Sequence, residues 1–357
     1  MNLSRLLASA LLALAMMLAG CAETHKVLTL NSQSQSAERK VWPAIPDEPR
    51  YRYVGELTGE ENFKPIDIVD RSTATKFFEW LVGLSGFIDA PIVLQRPQSG
   101  MVDHEGRIYV TDISRGAVYV FDKPAGQLEV WENSGKDERF VAPIGIAQGV
   151  QGEVLVADAE LHAVFRLDSK GNPLGELGRE VLMRPTGLAF DSQRELIYVA
   201  DTHAHNIKVF NNDGSLQKVI GQRGEGDGQF NFPTHLAFQA DKLYVTDTLN
   251  SRVQIFDMNG NMVTKFGQRG LFVGNMVRPK GVAVDRGGNV YVVESLHDNL
   301  LIFDSEGNTL LAIGGSGSDV GEFYLPAGVW IDSLDQIYIA DMFNGRIVVL
   351  QFLGGSQ

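Results

Sequence analysis

The stretch IYVADTHAHNIKVF, residues 197–210, places His203 and His205 two and four residues after the carboxylate of Asp201. Neutral imidazoles are common metal ligands, and a pKa of about 6.5 lets them trade protons near neutral pH. Three further histidines, His162, His235 and His297, fall in comparable polar turns, whereas His25 and His104 do not. His203, His205 and His235 are the candidate metal ligands, and a divalent ion is the cofactor such a set would take. Zinc needs three or four donors within bond length, which spacing alone does not fix. With Lys280 and Arg252 as fixed positive charge, the five histidines are also candidate ligand-binding residues. The competing reading is that they are ordinary polar loop positions.

The elements that must hold these residues follow from a repeat. IYVADTHAHNIKVF aligns without gaps with IYVTDISRGAVYVF, VLVADAELHAVFRL, LYVTDTLNSRVQIF, VYVVESLHDNLLIF and IYIADMFNGRIVVL. The acidic anchors are Asp112, Asp158, Asp201, Asp247, Glu294 and Asp341, spaced 46, 43, 46, 47 and 47 residues apart. Pro97, Pro143, Pro185, Pro233, Pro279 and Pro326 precede them in turn, mostly as Pro-x-Gly. A period of this length with four short β-rich runs per unit predicts a propeller. An acid that recurs in every unit predicts a turn-capping acceptor rather than six active sites. Asp103, Asp191, Asp285 and Asp332 are expected to form turns on the opposite face.

The sixth unit ends at QFLGGSQ after three strands, and YRYVGELTGEENF (51–63) parallels LQKVIGQRGEGDGQF (216–230). The N-terminal strand is therefore expected to complete the last blade and remove its open edge. This gives an all-β, six-bladed propeller over residues 51–353, with one short helical insertion at about 72–88 carrying Phe77, Phe78 and Trp80. Both the Pro-x-Gly turns and the loops after the acidic anchors then open on one end of the ring, the upper face. His162, His203, His205, His235 and His297 all fall there.

The repeat resembles that of the NHL family: Pro-x-Gly, a short apolar strand, Tyr-Val-Ala-Asp, a Thr-x-Asn-x-Arg turn and another apolar strand. Its fullest copy keeps Asp247, Thr248, Asn250 and Arg252. The resemblance implies a binding or scaffolding module for a protein, peptide or glycan. The alternative is an enzyme, since related six-bladed propellers include metal-dependent lactonases and a peptide-amidating lyase. The lyase's zinc histidines directly follow the proline, where this chain has Gln98, Ile144, Thr186, Thr234, Lys280 and Ala327, so the resemblance does not extend to that activity.

The chain opens MNLSRLLASALLALAMMLAGC, with a single positive charge at Arg5, an apolar run and then small residues. The run is too short for a permanent span and suits a secretory signal over residues 1–20. Leu18 to Cys21 resembles the lipobox of bacterial lipoproteins, which implies lipidation of Cys21. Ala22 rather than Asp points to the outer membrane of a bacterial envelope, with the protein working outside the cytoplasm. Residues 21–50 read as a flexible tether after the lipidated cysteine. Cys21 is the only cysteine, so no disulfide forms within the chain. The net charge of -13 argues against nucleic acid as a partner. No Gly-x-Ser-x-Gly, Cys-x-x-Cys-His or His-Glu-x-x-His occurs, so no catalytic residue is assigned. GQRGEGDGQF (221–230) lacks the Lys-Ser/Thr ending and the helix of a phosphate loop, and reads as a repeat connector.

Overall fold

The computed structural model describes residues 26–32, 40–66 and 90–354. Cys21, His25 and the 72–88 insertion lie outside the described residues. The first four strands are β1 (Lys26–Leu28), β2 (Val41–Trp42), β3 (Tyr51–Leu57) and β4 (Phe63–Pro65). Blade 1 follows as β5 (Pro97–Val102), β6 (Ile108–Asp112), β7 (Ala117–Asp122) and β8 (Gln127–Trp131). Blades 2 to 5 repeat this antiparallel pattern, running β9 (Pro143–Gln148) to β12 (Pro173–Leu177), β13 (Pro185–Asp191) to β16 (Leu216–Ile220), β17 (Pro233–Gln239) to β20 (Met262–Phe266) and β21 (Pro279–Val284) to β24 (Thr309–Gly314). Blade 6 joins β25 (Val329–Ile331), β26 (Gln336–Asp341) and β27 (Arg346–Phe352) to β3 and β2 from the other end of the chain. The inner strands β5, β9, β13, β17, β21 and β25 each touch the next, and β25 touches β5, so the ring is closed.

The closing strand lies where the repeat predicts it, with Leu57 opposite Ile347 and Tyr51 opposite Phe352. The tether reading is corrected for the residues around it. Lys26–Leu28 pairs with Phe63–Pro65, and Val41–Trp42 extends blade 6 beside Tyr51 and Arg52. The signal is in KVLTLN, where Leu28 and Leu30 pack against the core between blades 6 and 1.

The second and third strands of each blade are apolar on both faces because each blade is sandwiched between two others. Phe210 on β15 (Asn206–Asn211) is fully buried with Leu155 and Leu177 of blade 2. Truncating such a ring to alanine costs about 3–5 kcal/mol. The outer strands are half exposed, as in β16, whose final Ile220 alone is buried. Inner strands approach closely enough to exclude a side chain: a Cβ on Gly187 would sit 2.5 Å from the Thr234 carbonyl of the next blade. The glycine of Pro-x-Gly thus lets blade 3 approach blade 4 closely, whereas blade 4 itself accommodates His235 at the equivalent position.

Candidate functional site

The six acidic anchors are fully buried, and their oxygens are engaged by the backbone. Asp112 accepts N–H bonds from Gln95 and Arg96 at 2.7 and 2.9 Å and from Ser114 at 3.0 Å. Asp158 accepts from Val141, Ala142, Glu160 and Leu161. Glu294 accepts from Val277, Arg278 and Leu296. Each anchor ties the loop entering its blade to the turn after its second strand, so these carboxylates are structural. On the lower face Asp103, Asp285 and Asp332 cap turns and accept Tyr109, Tyr291 and Tyr338 hydroxyls, while Asp191 caps its own turn.

Arg252 is not a free charge on the upper face. It is buried, donates to Asp247 at 2.8 Å and holds the Gly226 and Gln229 carbonyls of the 221–230 connector. Asn250 bridges Asp247 and the Gly224 carbonyl. Arg346 and Asn344 repeat the arrangement around Asp341. Burial pushes the Asp247 and Asp341 carboxyls up, and their hydrogen bonds and arginine partners oppose it. Blade 3 lacks this arginine, and buried Lys208, two residues along the same strand face from Asn206, pairs with Asp201 at 2.5 Å instead.

The histidines separate into distinct roles. The fourth residue after every acidic anchor is left-handed: Gly116, His162, His205, Ser251, Asp298 and Gly345 have φ of 61, 57, 54, 56, 54 and 61°. Asn, Asp and Gly tolerate this region best, and a histidine there serves the turn. His162 is exposed, with Nδ1 2.6 Å from the Met183 carbonyl. His205 is buried, its ring set edge-on to Phe232 at 4.5 Å, and its Nδ1 accepts the Phe232 N–H at 3.2 Å. Accepting that bond places its ring proton on Nε2. Burial first, then the Arg223 charge, pushes the His205 pKa down. His203 is exposed and approaches the same Phe232 ring at 5.9 Å. His297 is half-buried just before Asp298.

His235 stands apart, in the wall of a cavity of about 280 Å³ on the ring axis, lined by inner strands of all six blades. Thr248 donates its hydroxyl proton to the Pro279 carbonyl at 2.8 Å, so Thr234 must donate in its 2.7 Å contact with Thr248. The remaining Thr234 lone pair then takes the His235 Nδ1–H at 3.1 Å, which leaves Nε2 unprotonated. Nε2 and the Trp330 indole N–H are buried without hydrogen-bond partners among the described residues. Burial, helped by the Lys280 charge, pushes His235 down to about 3. The expected gathering of His203, His205 and His235 into a metal set is not seen: two meet Phe232 and the third turns to the axis. Among the described residues no group of three or more His, Cys, Asp or Glu side chains is placed to hold a metal ion.

Lys280 occupies the position of Thr186 and Thr234, whose hydroxyls bridge neighbouring inner strands and turns. Lys280 is half-buried and Arg278 exposed, and neither side chain has an ion-pair or hydrogen-bond partner among the described residues. Burial and the Arg278 charge push the Lys280 ammonium down.

Exposed apolar side chains recur on the upper-face turns of blades 4 to 6. The second residue after the acidic anchor is Ser114, Glu160 or His203 in blades 1 to 3, but Leu249, Leu296 or Phe343 in blades 4 to 6, exposed by 50, 47 and 45 %. Tyr324 packs on Phe343 with ring centroids 5.4 Å apart. Between blades 4 and 5, Leu271, Phe272 and Val273 are exposed by 87, 85 and 77 %. Aligning GQRGLFVGNM with GQRGEGDGQF carries the signal: the connector that presents Glu225, Gly226 and Asp227 after one blade presents Leu-Phe-Val after the next.

Fold and repeat together define a class: this is a six-bladed β-propeller, with an NHL repeat match over residues 182–210 and a match to the DUF5128 family, described as a 6-bladed beta-propeller, over residues 282–356. Among solved structures it is similar to virginiamycin B lyase from Staphylococcus aureus, at 15% identity and a TM-score of 0.54, covering 72% of this chain and 96% of that one. A gluconolactonase from Xanthomonas campestris is similar at 17% identity and a TM-score of 0.56, covering 88% and 99%. An auxiliary nutrient binding protein from Bacteroides ovatus is similar at 13% identity and a TM-score of 0.56, covering 72% and 69%. These likenesses show a shared fold that hosts lyase, lactonase and binding proteins alike.

Proposed function

We propose that this chain is a lipid-anchored extracytoplasmic binding module that holds a protein or peptide partner on the upper face of blades 4 to 6. The apolar arc carries the reading. Leu249, Leu296 and Phe343 sit at one repeated turn position where the other blades are polar, and the connector between blades 4 and 5 adds the exposed Leu271–Val273 tip. Exposed apolar side chains concentrated on one part of one face in this way mark interaction sites on soluble domains. Aromatic and aliphatic anchors beside fixed charge suit a protein or peptide better than a glycan, whose hydroxyls call for polar partners. The leader and Cys21 support attachment to a bacterial membrane, the outer one by the identity of Ala22.

A photo-crosslinking residue at position 296, compared with one at Leu334 on the lower face, tests the reading. One discrete adduct from 296 only, lost in the Leu249→Ser, Phe272→Ser, Phe343→Ser variant, is expected. Equal adducts from both faces, or an adduct indifferent to the three serines, would overturn it. The lactonase-like alternative is tested on the same preparation by metal analysis and lactone hydrolysis. It lacks a donor set among the described residues but would gain from stoichiometric metal with turnover.

A further inference from the structure

We infer that Arg278 and Lys280 form a subsite for an organic carboxylate on the upper face, above the axial cavity and between the turns that carry Leu249 and Leu296. This deepens the proposed binding reading by naming the charged group its ligand presents.

Local contacts fix the placement. Thr248, the residue before Leu249, donates its hydroxyl to the Pro279 carbonyl at 2.8 Å. The N–H of Ser295, the residue before Leu296, donates to the Arg278 carbonyl at 3.2 Å. Arg278-Pro279-Lys280 is therefore held between the two turns that carry Leu249 and Leu296. The Leu271–Val273 tip precedes it on the same connector.

The chain is strongly acidic overall, yet two cations stand side by side here without partners among the described residues. The acids of blade 5 do not neutralise them. Glu294 is occupied by the N–H groups of Val277, Arg278 and Leu296, and Asp298 by Ser316 and the Leu325 N–H. His235, close enough to feel the Lys280 charge, is held neutral by burial, so the positive charge here is that of Arg278 and Lys280. Adjacent like charges at a partly desolvated mouth are repulsive in the free protein, and an anion converts that repulsion into two charge-assisted contacts. The guanidinium suits the planar fork of a carboxylate, and the exposed Leu249 and Leu296 on the two flanking turns suit the hydrocarbon part of the same molecule.

Benzoate is the probe, with benzamide as its neutral counterpart and inorganic phosphate as an anion without an apolar part. The full mature chain is dimethylated with carbon-13 at its lysines, and the Lys280 signal is assigned by its loss in Lys280→Arg. Benzoate should shift that signal saturably, and benzamide should not. Arg278→Gln, an exposed change that leaves the fold intact, should weaken benzoate about tenfold, as loss of one charge-assisted contact implies. Lys242→Arg on the lower face should leave binding unchanged. The subsite is wrong if benzoate gives no saturable shift up to its solubility, if benzamide matches it, or if Arg278→Gln has no effect. Phosphate binding as tightly as benzoate overturns the assignment to carboxylates. Saturable benzoate binding together with a crosslink indifferent to the three serines would retain the subsite and sink the arc, and a serine-sensitive crosslink without benzoate binding would do the reverse.

Discussion

Arg346 donates to Glu56 at 2.8 Å across 290 residues of sequence, and the same guanidinium donates to Asp341 at 2.8 Å. Both side chains of the 346–56 pair are buried. Tyr53 adds its hydroxyl to Glu56 at 3.0 Å, so the last strand and the closing strand share one polar knot inside blade 6. The ring closes through this charge pair as well as through the β3–β27 ladder.

Glu56→Ala should therefore destabilise the propeller by about 2 kcal/mol, the range for a hydrogen bond to a charged group, because Arg346 keeps Asp341 and its carbonyl partners. A chain beginning at Lys64 removes the whole strand and bares the edge of β27. It should aggregate and lose cooperative unfolding, whereas a chain beginning at Val41 should not. Urea denaturation and light scattering of the three proteins check this, and matching curves for the Lys64 and Val41 chains would show that β3 is dispensable.

The Asp247–Arg252 brace makes a prediction with a pH sign. Arg252→Met leaves a buried carboxylate without its cation and should cost about 3 kcal/mol at neutral pH. Burial holds the Asp247 carboxyl above its ordinary range even with the arginine present, and losing the arginine raises it further. A carboxyl whose folded pKa is raised takes up protons more readily in the native state, so acidification relieves the orphaned charge. The stability gap between variant and parent should narrow as pH falls through that raised value. A gap that widens instead would mean the carboxylate is not the destabilised group.

How much was legible depended on whether a residue acts within its repeat or across blades. The six acidic anchors, the prolines and the closing strand recur at fixed spacing, so fold and turn roles could be read by aligning the chain with itself. Lys208 could not, because it replaces an arginine from two residues further along and only the strand's alternation reveals that both point one way. His205 and His162 attracted a chemical reading by residue type, while the left-handed turn that claims their position is a backbone property without a letter of its own. Gly116 and Gly345 at the same register were the available clue. The Lys26–Leu28 strand was hidden by the polar residues around it. In its partner, Phe63–Pro65, Phe63 matches Phe230 of the repeat, but Phe230 opens no such two-stranded pairing.

That left-handed position yields the next prediction. His162→Gly removes a Cβ from a backbone at φ 57°, a conformation glycine adopts freely, and forfeits one exposed hydrogen bond to Met183. The two effects should leave stability within about 1 kcal/mol of the parent. Partner binding on blades 4 to 6 should not change. Thermal unfolding and the crosslink from position 296 check both halves, and loss of the adduct would return His162 to the binding site.

His205 should stay neutral at a pH where an unstructured histidine is half protonated. Protonating Nδ1 breaks the bond from the Phe232 N–H, and burial already holds the pKa down. With the folded value depressed, His205 contributes stability that is present above about pH 6.5 and is lost as pH falls below it. Nitrogen-15 chemical shifts of its ring should report the Nε2–H tautomer throughout the neutral range. The Nδ1–H tautomer, or an ordinary titration midpoint, would show that the Phe232 contact is not made.

The last prediction concerns which way the propeller faces, on the proposed reading that Cys21 carries lipid. Four residues lie between Cys21 and Lys26, so the five-residue step reaches at most about 17 Å as extended chain. The Lys26 carbonyl lies where a Cβ on Gly126 would be 2.1 Å away, and Gly126 belongs to the lower-face turn after β7. A lipid on Cys21 therefore holds the lower rim of blade 1 at the bilayer and turns the arc of blades 4 to 6 away from it. Fluorophores placed at Lys123 and at Leu296 should differ accordingly: spin-labelled lipid should quench the first strongly and the second weakly. Cys21→Ser should abolish acyl labelling and remove both signals from the membrane fraction. Strong quenching at Leu296 with little at Lys123 would reverse the orientation, and normal anchoring of the serine variant would remove the lipid from the account.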